Sequence, residues 1–146
     1  MEQVRIYCMP PCRMVSSGRG MFGDGVLEAF DDWFSKQSRA MFPKDYLCFD
    51  GEGFVWYYVY EEGMQIPEQC EIVDFPGGLY AAATGKDGDD ESHEAVMAAL
   101  EAFIASNSCF EKDPSRAELG SIITPPEAAK ALGYDQMDYY LPIRLK

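Results

Sequence analysis

The sequence predicts an α+β fold: duplicated ββαββ units form a curved antiparallel sheet with two amphipathic helices on one face. Three observations carry this. There is an aromatic strand at residues 54–60, FVWYYVY; there is a helical apolar stripe in each half; and the order of segments in the first half begins again after Pro67. A chain of 146 residues is expected to be a single domain, with repeat one at about 3–62 and repeat two at about 69–146.

Alternation along the aromatic strand sends Phe54, Trp56, Tyr58 and Tyr60 to one side and Val55, Tyr57 and Val59 to the other. Both sides are apolar. An aromatic side chain buries about 150–250 Å², so one face meets the core. The other calls for a second layer, a partner chain, a second copy of this one, or a ligand. Upstream, residues 4–9 and 12–17 read as strands separated by Pro10-Pro11, and Gly18 and Gly20 break the pattern. Over residues 23–40, Val26, Phe30, Trp33 and Phe34 recur at helical spacing, which makes Trp33 a core residue, and Pro43 stops the segment. Residues 46–50, the turn Gly51-Glu52-Gly53 and the aromatic strand make a hairpin.

From Cys70, CEIVDFPGGLYAAATG repeats the layout of VRIYCMPPCRMVSSG: Ile72 answers Ile6 and Pro76 answers Pro10. Asp89, Asp90 and Glu91 precede a helix over 92–106, where negative charge suits the positive end of the helix dipole. Its stripe is Val96, Leu100, Phe103 and Ile104. After a polar loop at 107–114, AELGSII answers DYLCFD with Leu119 against Leu47. MDYYLPI answers the aromatic strand, with Tyr139, Tyr140 and Leu141 over Tyr57, Tyr58 and Val59. A short helical insert near 125–132 lengthens the second hairpin, with Thr124 as N-cap, Pro125 at the first helical position, Glu127 closing a capping box and Gly133 as terminator.

A formal net charge of −13 repels phosphate and excludes direct nucleic-acid binding, while it attracts cationic ligands or a basic protein. No apolar run is long enough for a membrane span, and the N-terminal stretch lacks the layout of a signal peptide, so a cytoplasmic protein is expected. Five scattered cysteines read as free, buried thiols; Cys8 and Cys12 lack the companions of a zinc or redox site. His93 stands alone, and Asp87, Asp89, Asp90 and Glu91 lack the glycine and final glutamate of a calcium loop. With no Walker, GxGxxG or GxSxG pattern either, neither a cofactor nor a metal is expected.

The duplication assigns faces. With Val55, Tyr57 and Val59 beneath a helix, Tyr139, Leu141, Met137 and Ile143 lie beneath the other, alongside Leu47, Phe49, Leu119 and Ser121. The open face then holds Trp56, Tyr58, Tyr60, Phe54, Tyr140, Asp138, Tyr46, Cys48, Gly120 and Glu118. A carboxylate among tyrosine and tryptophan rings suits a large, flat organic cation, because rings supply area and cation–π attraction and the acid supplies charge. Glu118 and Asp138 are otherwise solvated acids at strand edges, and the rings otherwise pack on a further protein layer.

The Pro-Gly turn and tyrosine-alanine strand of FPGGLYAAATG, the amphipathic helix after it and the C-terminal tyrosine-rich strand ending in LPIRLK resemble the GyrI-like small-molecule-binding domain over nearly the whole chain. That domain occurs alone, as in the gyrase inhibitor protein, and as the effector-binding half of AraC-type and MerR-type multidrug regulators. The resemblance implies a stand-alone binding protein for hydrophobic cationic molecules, with Glu118 as the central acid and Trp56, Tyr58 and Tyr140 as walls; no helix-turn-helix segment is seen. It also implies two alternatives. One is a hydrolase of strained cyclopropane-type toxins, with Glu118 and Trp56 in catalytic roles; the other is a protein-interaction inhibitor acting on DNA gyrase or a regulator.

Overall fold

In the computed structural model of the protein, residues 3–37 and 44–146 are described. Among them are three helices and nine strands, and the strand pairings within each unit are antiparallel, so the expected α+β class holds. The chain divides into two compact units, Pro10–Gly77 and Met1–Met9 with Gly78–Lys146.

The first unit, here the α1 unit, contains β2 (Cys12–Gly20), α1 (Val26–Phe34), β3 (Asp45–Phe49), β4 (Phe54–Val59) and β5 (Glu71–Phe75), with its strands ordered β3-β4-β2-β5. The α2 unit contains β1 (Arg5–Met9), β6 (Gly78–Lys86), α2 (Asp90–Ser106), β7 (Phe110–Lys112), β8 (Leu119–Ile122), α3 (Pro126–Leu132) and β9 (Gln136–Leu145). Its strands run β1-β6-β9-β8, with β7 further along β9.

The two orders are the same arrangement used twice, but each unit takes its first strand from the other repeat. Strand β1 pairs with β6, Ile6 opposite Ala81, and β5 pairs with β2, Ile72 opposite Val15. A two-residue hairpin needs positive φ at its centre. Pro10 and Pro11 are locked near −65° and have no N–H to give a ladder, so β1 cannot fold back on β2. The Ile6 to Ile72 correspondence expected from sequence survives in the pairing.

In the α1 unit the core gathers Val15, Phe30 and Tyr58, with Trp33, Phe34, Trp56 and Tyr60 packed against it. Helix α1 buries Leu27 and Phe30, while Val26 is exposed, so the stripe enters one residue later than the spacing predicts. Asp24 and Glu28 draw the helix start in: Asp24 accepts from the N–H groups of Met21 and Val26, and Glu28 from those of Gly23 and Gly25. The predicted residues 38–40 of this helix and the stop at Pro43 lie outside the described residues.

In the α2 unit, Val96, Leu100 and Ile104 of α2 pack on Ala81, Ala83, Leu141 and Ile143, with Phe103 beside them, as the stripe predicts. Alanines on β6 let the helix approach closely. The Asp89 carboxylate accepts from the Ser92 N–H at 2.9 Å as N-cap. Three local expectations are corrected. The loop expected at 107–114 contains strand β7. Helix α3 begins at Pro126 with Pro125 as N-cap, without a side-chain cap, because the Thr124 hydroxyl accepts from the Gln136 N–H at 2.7 Å instead. Of the free cysteines, only Cys48 is buried, while Cys8 and Cys109 are exposed.

Phe30 is 2% exposed and is the ring of α1 buried most deeply against the strands. Phe30→Ala is expected to destabilise the protein by about 3–5 kcal/mol, measured by urea unfolding; a loss below about 1 kcal/mol would show that α1 is not held by this ring.

Candidate functional site

Alternation fixes which β4 side chains meet α1, and the observed set is Trp56 and Tyr58. The Phe34 ring lies 4.9 Å from Trp56 at 65° and 5.8 Å from Tyr58 at 24°, stacked. Trp33 meets the edge of Tyr58 at 5.7 Å, and its indole N–H donates to the Gln65 carbonyl at 3.0 Å. This corrects the predicted faces: Val55, Tyr57 and Val59 point away from α1, and Trp56, Tyr58 and Tyr60 belong to its side.

An acid joins these rings. Asp45 sits opposite Tyr58 in the β3–β4 register, and the Trp56 indole N–H donates to its carboxylate at 3.2 Å. Burial holds the Asp45 carboxyl above the usual aspartate range, against the opposing pull of the indole N–H, with Asp31 adding to the rise. Burial likewise raises the Tyr58 hydroxyl. The neighbouring cation, Lys44, is paired with Glu61.

The remaining ring candidates separate. Tyr58 is only 6% exposed and serves as a core wall, whereas Trp56 is half-buried. Phe54 lies at the far end of the strand against Phe22 and Phe49. Tyr60 carries the Arg13 guanidinium 4.9 Å above its ring. Tyr46 pairs with Tyr57, on the side away from α1.

In the α2 unit, Tyr139, Leu141 and Ile143 meet α2 as predicted, leaving Asp138 and Tyr140 on the other side. Asp138 is satisfied within the protein. Arg5 pairs with it at 3.0 Å, and the hydroxyls of Thr84 and Tyr140 donate to it. Tyr140 is itself buried, edge-on to Tyr7 and Tyr80. The pair Asp138 and Tyr140 is therefore an anchor for β1.

Glu118 is exposed and immediately precedes β8. In this strand Gly120 faces Tyr139, and Leu119 and Ser121 face Tyr140 and Asp138. The predicted sides of Leu119, Ser121 and Gly120 are thus reversed. Glu118 shares the Gly120 side, the one that meets α2. One step beyond the Leu119–Tyr140 pair, its register position is opposite Leu141.

The cause is a slip of one residue in the internal alignment. Val15 pairs with Tyr58 and its counterpart Ala81 pairs with Leu141, so Tyr58 answers Leu141, not Tyr140. Likewise Leu47, opposite Trp56, answers Gly120, opposite Tyr139. A slip of one exchanges the two faces of a strand. Corrected, the alignment sets Asp45 of one unit against Glu118 of the other. Asp45, Trp33 and Phe34 are the site residues that sequence reasoning missed, and the acid-to-acid match of DYLCFD with AELGSII was the signal for the first.

Removing the charge from Asp45 and from Asp138 is expected to have different effects on stability. Because the folded pKa of Asp45 is raised, charging it opposes folding: stability gained by its protonation is present at low pH and lost as pH climbs from the unfolded value near 3.8 through the folded one. Asp45→Asn should remove that step from a Trp-fluorescence pH titration and leave stability at pH 7 unchanged or higher. Asp138→Asn should cost about 1–3 kcal/mol at pH 7, read by urea unfolding, since a charged partner of Arg5 is removed. Equal losses in the two variants would contradict these assignments.

No protein-family model matches the chain, and no curated protein matches it. Solved structures do. The EcmrR C-terminal domain is similar with a TM-score of 0.70 at 11% identity, covering 99% of this chain and 98% of that one. In the EcmrR–DNA complex, the match has a TM-score of 0.69 at 11% identity and covers 98% of this chain, which spans 57% of the EcmrR chain. A hydrolase from Listeria innocua encoded by lin2189 is similar with a TM-score of 0.66 at 12% identity, covering 97% and 92%. SAV2435 bound to tetraphenylphosphonium follows with a TM-score of 0.53 at 9% identity, covering 97% and 94%. The resemblance to GyrI-like domains therefore holds at the level of the fold.

Proposed function

We propose that the protein binds hydrophobic organic cations, with the half-buried Asp45–Trp56 pair as the recognition element of the α1 unit and Glu118 as its counterpart in the α2 unit. The observation that carries this reading is a carboxylate raised by burial, opposite Tyr58 in the strand register and held by the indole N–H of Trp56, whose ring packs on Phe34. A monocation offered to that carboxylate recovers the charge interaction that burial has taken from water, and the rings add cation–π attraction of about 2 kcal/mol when desolvated. Neutral molecules of the same shape gain only ring contact. The fold shared with SAV2435, whose structure contains tetraphenylphosphonium, supports the same class of ligand. The net charge of −13 raises the local concentration of cations around the site.

A second reading rests on the same pair. A carboxyl that keeps its proton above the usual range, fixed in orientation by an N–H donor, is suited to general-acid work. Under that reading the protein opens strained cyclopropane-bearing compounds, with Asp45 as the acid and Trp56 as its neighbour in the α1 unit, and with Glu118 in the acid's role in the α2 unit.

Titration with tetraphenylphosphonium, followed by Trp fluorescence, is expected to saturate. Asp45→Asn and Glu118→Gln should each weaken it about tenfold, equivalent to about 1.4 kcal/mol, and leave the neutral analogue triphenylphosphine oxide within about twofold of wild type. Equal weakening of cation and neutral analogue would remove the charge from the account. Loss of a cyclopropane-bearing compound over time, abolished by Asp45→Asn or Glu118→Gln, would establish the second reading in its place.

A further inference from the structure

We propose that the exposed aromatic end of the α1 unit, built from Phe22, Phe49 and Phe54, is a docking surface for a basic, amphipathic segment of another protein. The three rings form one continuous patch: Phe22 lies 5.2 Å from Phe54, and Phe49 lies 5.0 Å from it. Phe22 and Phe49 remain 54% and 56% exposed, with Met21 beside them at 49%. They lie outside the hydrophobic core beneath α1, which is gathered from Val15, Phe30 and Tyr58. Burying a phenylalanine is favourable, and at Phe22 and Phe49 about half of that gain is left unused.

The patch is held in place rather than left to a floppy loop. Asp24 accepts from the Met21 N–H at 2.8 Å and the Val26 N–H at 2.9 Å, and Glu28 ties down Gly23 and Gly25 at 2.8 and 2.9 Å. Gly23 and Gly25 have φ of 101° and 96°, values open to glycine, which let the loop turn Phe22 onto Phe54. At the hairpin end, Asp50 accepts from the Glu52 and Gly53 N–H groups. A surface fixed in advance loses little entropy when a partner lands on it.

Charge and area choose the occupant. The rim carries Asp24, Glu28, Asp50 and Glu52 against the guanidinium of Arg19, which pairs with Asp50 and Glu52. An acidic rim on a chain of net charge −13 repels nucleic acid, anionic lipid and a second copy of itself. Two half-exposed rings offer on the order of 200 Å², far below the roughly 800 Å² per partner of a stable interface. That area suits two or three apolar anchors on a short segment, and the acids suit lysine or arginine between them.

Fluorescence anisotropy with a labelled Leu/Lys amphipathic peptide tests the proposal on the full chain. Wild type should bind it at least tenfold more tightly than either a Leu/Glu peptide, which keeps the apolar anchors, or a Gly/Lys peptide, which keeps the charge. Phe22→Ser with Phe49→Ser should lose about tenfold, and Phe49→Ser alone, at a hairpin tip, should lose part of this with an unchanged unfolding midpoint. Asp45→Asn should bind the peptide as wild type does, so failure here and failure of the cation-binding reading are separable. The proposal is overturned if the double variant binds the Leu/Lys peptide normally or if the Leu/Glu peptide binds equally well. It is overturned equally if sedimentation shows the rings holding two copies together, or if they carry the protein onto anionic vesicles.

Discussion

Helix α1 rests on β4 ring against ring, and the α1 unit depends on that contact. Phe34 stacks on Tyr58 and meets Trp56 edge-on, while Phe30 is sealed beneath them. Rings of this size bury about 150–250 Å² each, so nine residues of helix gain a hold that so short a segment could not obtain from backbone hydrogen bonds alone. Beside this contact stands Asp45, opposite Tyr58 in the register, its carboxyl raised by burial against the opposing pull of the Trp56 indole N–H. Packing and candidate chemistry thus share a residue: Trp56 meets Phe34 of the helix and donates to the acid.

The two units solve the same problem with different side chains. In the α2 unit the strands beneath the helix carry Ala81 and Ala83, and α2 supplies Val96, Leu100 and Ile104, giving a close aliphatic contact over a longer helix. Tyr80 and Tyr140 lie on the opposite face, edge-on to each other, and the Tyr140 hydroxyl donates to Asp138 of the Arg5–Asp138 pair that holds β1. Asp138 is spent on structure. Its charge is matched by Arg5 and its remaining acceptor positions by Thr84 and Tyr140, whereas Asp45 is partnered by a neutral indole N–H. A half-buried acid with a neutral donor retains an unmet preference for positive charge, which an acid already ion-paired does not.

Much of this was legible in the sequence. The α+β class, the paired helices, the stripe of α2, the β3–β4 hairpin and the Ile6 to Ile72 correspondence follow from periodicity and from proline placement. Faces did not follow, because both sides of FVWYYVY are apolar and carry no alternation to fix the register. Matching Leu47 with Leu119 and Tyr58 with Tyr140 maximised residue identity, but a leucine and a tyrosine serve equally well on either face of such a strand. The exchange of first strands was hidden for another reason. Sequence repeats record gene order, whereas pairing is decided by what the Pro10-Pro11 and Pro76-Gly77 links allow.

Glu118 and Asp45 show how a register error propagates into chemistry. Placed by the slipped alignment, Glu118 had Cys48 and Tyr46 as its apparent companions and no acidic counterpart. Placed by the observed pairing, each unit has one carboxylate on the helix side at the same position, Asp45 as the first residue of β3 and Glu118 just before β8. One of the pair is desolvated and bonded to an indole, and the other is exposed. Duplication explains why both exist, and divergence in their surroundings explains why they differ: burial raises Asp45 and an indole N–H holds it, while Glu118 stands exposed just before β8. The acids supply the charge, and at Asp45 burial and the rings beside it add to the preference of that carboxylate for an organic cation over water.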